Sequence, residues 1–254
     1  MSNDINQDIA KELVSQTAGK AYDDVAHPAA QATGQVISFV PRTIKLWLGK
    51  WEKWILNGEH SIKETELLLA EKLKHIHEDK IVEPEPYVAV PALQQLSYSF
   101  DSEELRELYA NLLASSMNTD TKFDVHPAFV DIIKQLTPDE AKLLRYFSKQ
   151  KVIPAVSVHL KSSSGSGYTV LERIRVTIPN GVLFVPQNVE VYVENLIRLK
   201  LLDIPAGIYY TTESLYAPLE NMSNYVGVDK DKVEFERMII NITSFGEQFI
   251  KICQ

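Results

Sequence analysis

Apolar side chains recur every three or four positions through much of the first 150 residues, which is the spacing of an amphipathic helix. One such stripe predicts a helix over residues 4–26. The clearest stripe predicts a helix after Asp101 and Ser102, with an apolar face formed by Leu105, Leu108, Tyr109, Leu112, Leu113, Ser116 and Met117.

Helix-start signals divide this part of the chain further. Thr137-Pro138-Asp139-Glu140 combines a capping threonine, a proline in the first helical position and two acids in the first turn. Ser61 and Glu64 form a capping-box pattern for a helix that is predicted to end near His77. Shorter helices are predicted over 91–97 and 127–136, and Glu83-Pro84-Glu85-Pro86 predicts an extended break before the first of these.

The pattern changes after Gln150 to the alternation of strands. Residues 152–160 and 168–178 predict two strands that are joined by a serine- and glycine-rich loop. A helix over 186–200, a strand over 201–205, a strand over 238–242 and a last helix over 244–252, which Thr243 is predicted to cap, follow. This order of helix, strand, loop, strand and helix resembles a winged helix.

The predicted fold class is therefore α+β and mostly α-helical, with an N-terminal helical bundle followed by a winged-helix-like C-terminal part. We predict three domains: an N-terminal helical region over 1–80, a central helical domain over 81–150, and a winged-helix-like α+β domain over 151–254.

The stretch 28–57 is unusual in composition. Small residues recur every four positions at Ala26, Ala30, Gly34 and Ser38, a spacing that permits close helix approach. All three tryptophans follow at i, i+4 and i+7, interleaved with lysines, as in an interfacial membrane helix. The stretch is either a packed helical hairpin or a face for membrane contact or self-association, which would consist of Ala30, Gly34, Ser38, Trp47, Trp51 and Trp54.

Composition and charge limit the classes of binding partner that suit this chain. The chain of 254 residues carries a net charge of −8 and has no basic block, so nucleic acid is a poor candidate partner and a protein partner or self-association is favoured. The polar, acidic N-terminus lacks the features of a signal peptide, which predicts a cytoplasmic protein, with peripheral membrane contact as the alternative. The single cysteine, Cys253, is expected to be a small apolar residue of the last helix.

The sequence predicts no catalytic residue, cofactor site or metal site. His75 and His77 stand two positions apart, so they do not share a helix face and could bind a metal together only on extended backbone. His126, before Pro127, is expected to cap or pack at a helix entrance. The loop 162–167 lacks the Gly-Lys-Ser/Thr ending of a phosphate cradle, and no nucleophile is paired with a base.

The alternative function is a winged-helix regulator that binds nucleic acid. The helix 186–200 offers Glu190 and Glu194 against Arg198 and Lys200, and it lacks an arginine fork in its first turns. Acidic residues of the following loop would repel phosphate. A wing that docks on protein, or one with a structural role, is therefore favoured.

Several segments resemble the abortive infection alpha family of bacteria, and they keep their order over about residues 80–250. These segments are Glu83-Pro84, Pro91-Ala92-Leu93, 104–117, 126–130, 133–141, 195–199 and 243–249. The related pattern favours glycine near the end of the helix 186–200, where this chain has Lys200. The resemblance implies a role in phage resistance through arrest or death of the infected cell, and it supplies no catalytic motif.

Overall fold

A computed structural model describes residues 58–99, 101–162, 167–221 and 229–254. These ranges contain seven α-helices and four strands of one antiparallel sheet, which confirms the predicted mostly helical α+β class. The predicted helix 4–26 and the stretch 28–57 lie outside the described residues, so the N-terminal bundle and the boundary at residue 80 stay predictions.

Five of the α-helices precede the first strand in the sequence, and the other two follow the second and the fourth strand. The first five are α1 Gly58–Leu73, α2 Pro86–Tyr98, α3 Glu103–Ser116, α4 Ala128–Lys134 and α5 Pro138–Phe147. The last two are α6 Val189–Arg198 and α7 Ser244–Cys253.

The starts of α1 and α2 differ from prediction. The chain is already helical at Gly58, the first described residue, so Ser61 and Glu64 lie inside α1 rather than at its start, and α1 ends four residues before His77. α2 begins at Pro86 rather than Pro91, because Pro86 is preset for the first helical position. Pro91 then lies inside α2, where it lacks the N–H for the Tyr87 carbonyl.

Three predicted helix caps are confirmed. Ser102 caps α3 by accepting from the Leu105 amide. Thr137 and Glu140 form a complete capping box on α5: the Thr137 hydroxyl accepts from the Glu140 amide at 3.2 Å, and the Glu140 carboxylate accepts from the Thr137 amide at 2.6 Å. Thr243 caps α7 by accepting from the Gly246 amide at 2.9 Å.

The sheet has the order β2-β1-β4-β3, and every neighbouring pair is antiparallel. Its strands are β1 Ile153–Lys161, β2 Tyr168–Arg175, β3 Leu202–Asp203 and β4 Val233–Ile242. β1 and β4 pair over their length, from Ile153 opposite Ile240 to Leu160 opposite Val233. β3 covers two residues at the far end of β4.

One hydrophobic core takes side chains from all the described helices and strands. It runs from Leu69 and Leu73 of α1 through the buried faces of α2 to α6 to Phe249 and Ile252 of α7. Since β1 alternates its faces, Ile153 and Ala155 enter this core while Val156 and Val158 enter a second, smaller one. Tyr216 and Leu219 of the β3–β4 connection complete the second cluster.

The turn between α6 and β3 ends the helix in a defined hydrogen-bonded motif. The Leu201 amide donates to the Leu196 carbonyl and the Lys200 amide donates to the Ile197 carbonyl, which is a Schellman arrangement. Lys200 takes the left-handed position of this motif, with φ of 61°. The residue that departs from the related pattern therefore occupies the position where glycine is usual.

Every helix within the described ranges is too short or too polar to cross a lipid bilayer.

Candidate protein-contact site

The residues predicted to form a membrane or self-association face lie outside the described ranges. These residues are Ala30, Gly34, Ser38, Trp47, Trp51 and Trp54.

The motif at the start of α5 holds α6 against the central helices. Asn195 of α6 donates from its side-chain amide to the Glu140 carboxylate at 2.7 Å and to the Gln135 carbonyl at 3.0 Å. Arg198 donates to the side chains of Gln135 and Asn195. Both Glu140 and Asn195 belong to the resembling segments, and both act in packing.

Asp139 adds a second set of contacts at the same junction. Its carboxylate is 4% exposed and accepts from the backbone amides of Phe184 and Val185, each at 2.8 Å. The hydroxyl of Tyr192 approaches the same carboxylate at 3.3 Å, and burial raises the pKa of this tyrosine. Asp139 thus fixes the loop that enters α6.

His126 lies at the entrance of α4, as predicted. Its Nδ1 accepts from the Ala128 amide at 3.1 Å, and its ring packs on Phe129 and Phe245. Phe129 also packs edge-to-face on Phe249 of α7. The segments 126–130 and 243–249 therefore meet as one aromatic cluster, which leaves His126 in a capping and packing role.

The end of α7 is held by α3. Asn111 donates to the Cys253 carbonyl and Ser115 donates to the Ile252 carbonyl, each at 3.0 Å. These two carbonyls belong to the last turn of α7, where no further helical donor is available. The Cys253 side chain is buried, as predicted, and burial raises its thiol pKa well above its usual value.

The candidate metal ligands do not assemble within the described ranges. His77 Nδ1 lies 2.5 Å from an Asp79 carboxylate oxygen, and both side chains are exposed. No group of three or more histidine, cysteine, aspartate or glutamate side chains that could hold a metal ion occurs in the described part. Residues 163–166 of the serine-rich loop lie outside it.

One serine–histidine pair was missed by the sequence analysis. Ser157 Oγ lies 2.7 Å from His159 Nε2 and donates to the Glu172 carbonyl at 3.1 Å. Glu236 approaches the same Nε2 at 3.7 Å, whereas a catalytic triad needs its acid on the other ring nitrogen. Ser157 is also buried. The i, i+2 spacing on a strand was the signal that could have revealed the pair.

An exposed aromatic groove remains after these packing roles are assigned. It is lined by Glu83, Glu85, Tyr87, Val88, Ser116, Lys122, Phe123 and Val125, and it encloses about 100 Å³. Phe123 is 88% exposed and Tyr87 is 62% exposed. Large aromatic rings that remain in water are a common mark of a protein-contact surface.

The aromatic groove is positioned by a short crossing of two chain segments. Ile81 forms a β-bridge with Asn118, and the Val82 amide donates to the Met117 carbonyl at 2.8 Å. This crossing places the start of α2 beside the turn Lys122–Asp124, which follows α3. The Lys122 ammonium lies 4.9 Å from the centre of the Phe123 ring and covers one of its faces.

Sequence reasoning missed this groove. Phe123 stands in a polar loop, and a lone aromatic residue in a loop does not reveal whether it is buried. Tyr87 lies between the predicted break at 83–86 and the predicted helix over 91–97, whereas in the structure it belongs to the first turn of α2. The contact between the two segments depends on the crossing at Ile81 and Asn118, which local patterns do not encode.

Comparisons with known proteins point to one family. The family model for abortive infection alpha matches residues 57–253. No curated protein matches the chain significantly. Among solved structures, an uncharacterised protein from the marine bacterium Alcanivorax borkumensis SK2 is 17% identical, with a TM-score of 0.35 over 53% of this chain and 94% of that chain. The match to the family model covers most of the chain, and the chain therefore belongs to the abortive infection alpha family.

Proposed function

We propose that the protein is a phage-defence protein of the abortive-infection type that acts through protein contacts. The family match over residues 57–253 carries the biological role. The aromatic groove supports the mode of action, because Tyr87 and Phe123 expose large apolar rings that protein partners commonly bind. His126, Asp139, Glu140 and Asn195 of the motif segments serve in packing, whereas the rings of Tyr87 and Phe123 remain largely exposed.

A phage challenge tests this proposal. Cells that express the full chain are infected at low and high phage-to-cell ratios, and plaque numbers and cell survival are measured. An abortive response lowers plaque numbers while the infected cells still die or stop growing. The proposal fails if plaque numbers equal those of cells without the protein.

The groove is tested by the double variant Tyr87→Ala and Phe123→Ala. Tyr168→Ala is the matched control, because Tyr168 is 60% exposed on β2, away from the groove. Loss of protection in the groove variant alone is expected. Equal protection by all three proteins would exclude action through the groove, provided that thermal melts show both variants folded.

We also propose that α6, β3, β4 and α7 form a winged-helix-like unit whose role is protein docking or support. The outward face of α6 carries Val191 and Glu194, and Arg198 is engaged by Gln135 and Asn195. Such a face suits phosphate poorly. A DNA-binding titration at two salt concentrations tests this, since steeply salt-dependent binding would favour the nucleic-acid alternative.

Membrane contact through the stretch 28–57 is the other proposed mode of action. The double variant Gly34→Leu and Trp47→Asp would disrupt both the small-residue face and the tryptophan face. Membrane potential and growth are compared between cells that express the variant and cells that express the unchanged chain. If both proteins leave the membrane unaffected and protect equally, membrane contact is wrong.

A further inference from the structure

We infer that the aromatic groove binds a cationic segment of a partner protein, with an arginine or lysine side chain placed against the rings of Tyr87 and Phe123. The inference rests on the proposed action through protein contacts and states the chemistry of the partner at that surface. It is carried by the acidic surroundings of the groove, by a cation that already lies on one of its rings, and by the rigid support of that ring.

The surroundings of the groove are acidic. Residues 78–85, which lead into it, carry four acidic side chains and one lysine. That lysine, Lys80, pairs with Asp120 at 2.7 Å, so the two charges offset each other. Glu83 and Glu85 line the groove itself and are exposed. Such a surface repels the phosphates of nucleic acids and of anionic lipids, and it attracts a positively charged partner.

The Phe123 ring already accepts one cation within the protein. The Lys122 ammonium lies 4.9 Å from the ring centre and covers one of its faces. Phe123 is nevertheless 88% exposed, so most of its surface stays open to a second cation. Positive charge is attracted to the face of an aromatic ring, and the exposed ring of Tyr87 offers a second face of this kind.

The turn that carries Phe123 is fixed by α7. Gln248 donates from its side-chain amide to the Asp124 carbonyl at 2.6 Å, and the Lys251 ammonium pairs with the Asp124 carboxylate at 2.7 Å. The exposed ring therefore stands on backbone that is held in place. A partner that binds it has little backbone to order on this side of the contact, which favours affinity.

The size of the groove suits one long side chain. Its volume is about 100 Å³, and Val88 and Val125 belong to its lining together with the two rings and the two carboxylates. The apolar stem of an arginine or lysine can pack on such valines while its charged end lies beside rings and carboxylates. A segment of a partner protein that lies across the groove would supply this side chain.

Selection from a random peptide library on the full chain tests the inference. Peptides that bind the unchanged chain but not the variant Tyr87→Ala with Phe123→Ala are collected and sequenced. They are expected to be enriched in arginine and lysine, and replacing these residues with glutamine is expected to weaken binding about tenfold. A library that yields no groove-dependent peptide, or groove-dependent peptides that are acidic or uncharged, overturns the inference.

Two single substitutions at the groove have opposite expected effects. Glu85→Gln removes a carboxylate that caps no helix amide, and it is expected to weaken the selected peptides about threefold. Lys122→Ala removes the competing ammonium and is expected to strengthen them by about the same factor. Glu247→Gln is the control, because Glu247 is exposed and lines a different cavity. Weaker binding by Lys122→Ala would contradict a cationic occupant.

Further results separate this inference from the proposed function. If the variant Tyr87→Ala with Phe123→Ala loses phage protection while the groove-dependent peptides are acidic, action through the groove stands and the cationic partner is wrong. If the peptides are cationic but the same variant protects fully, the cationic preference stands and action through the groove fails. Spermidine that binds the groove as tightly as the peptides would assign it to a small cation and overturn the protein segment.

Discussion

At Gly246 the first turn of α7 passes directly over the Leu201 carbonyl. A Cβ added there would lie 2.2 Å from that oxygen and 3.0 Å from an Ile242 methyl group. The Leu201 carbonyl also accepts from the Thr243 amide at 3.1 Å, so it cannot easily move away. The close approach fixes the position of α7 on the turn that follows α6.

We expect Gly246→Ala to destabilise the protein by about 2–4 kcal/mol, because backbone must shift to relieve the clash. Urea unfolding followed by circular dichroism measures the change in the free energy of unfolding. Ser244→Ala is the control in the same turn, since Ser244 is exposed. A change under about 0.5 kcal/mol for Gly246→Ala would show that the contact relaxes without cost.

At Lys200 we expect a substitution to have the opposite effect and to stabilise the protein. Its φ of 61° is unfavourable for a side chain with a Cβ and natural for glycine. Lys200→Gly is expected to stabilise the protein by about 0.5–1 kcal/mol, seen as a higher urea midpoint with an unchanged slope. Lys149→Gly, at another exposed position after a helix, controls for the loss of a lysine. A lower midpoint for Lys200→Gly would contradict this account of the turn.

At the scale of elements, the contact between α5 and α6 depends on buried acids. Asp139→Ala would leave the Phe184 and Val185 amides without their acceptor in a partly buried site. We expect a loss of about 1–2 kcal/mol, because two amide donors lose a charged acceptor and water only partly replaces it. Thermal unfolding measures it, and Asp131→Ala on the exposed side of α4 is the control. Equal melting temperatures for the two variants would refute the role of Asp139.

The elements that the sequence predicts well are those that local chemistry specifies. The starts of α5 and α7 follow from Thr137 and Thr243, whose hydroxyls accept amides three residues ahead. The start of α2 differs from the prediction because Pro91, which is typical of a first helical position, lies inside the helix. The hydrogen bond from the Phe184 amide to the Asp139 carboxylate joins residues 45 positions apart, so no local sequence pattern predicts it.

The candidate site was less accessible to prediction than the fold. The aromatic groove joins the start of α2 to the turn after α3, and this contact exists only once Ile81 has met Asn118. His126, in contrast, was predicted correctly, because its backbone cap is a local contact. Contacts between distant segments therefore separate what the sequence reveals from what it does not.

At the scale of the whole molecule, α7 closes a core that begins at Leu69 of α1. Phe249 packs against Phe129, and the Cys253 side chain is fully buried. Because α3 also holds the last carbonyls of α7, this helix is expected to unfold together with the central helices rather than alone.

Cys253 reports on this coupling. Burial excludes reagents and raises the pKa of the thiol, so the reactive thiolate is scarce in the folded protein. We expect alkylation by iodoacetamide to follow the same urea midpoint as the loss of circular dichroism. Cysteine introduced at exposed Lys200 should react without urea. Reaction of Cys253 at urea concentrations well below the midpoint would show that α7 opens separately.

The short β3 has a consequence for solubility. It covers Asn241 and Ile242, so no strand within the described ranges pairs with the rest of β4 on the side away from β1. An unpaired strand edge is a template for stacking by neighbouring molecules. The Tyr216 hydroxyl donates to the Met238 carbonyl, and Glu234, Glu236 and Arg237 place charge along the strand. These groups disfavour pairing of β4 with a strand of a neighbouring molecule. The protein is therefore expected to resist sheet-to-sheet aggregation even at high concentration.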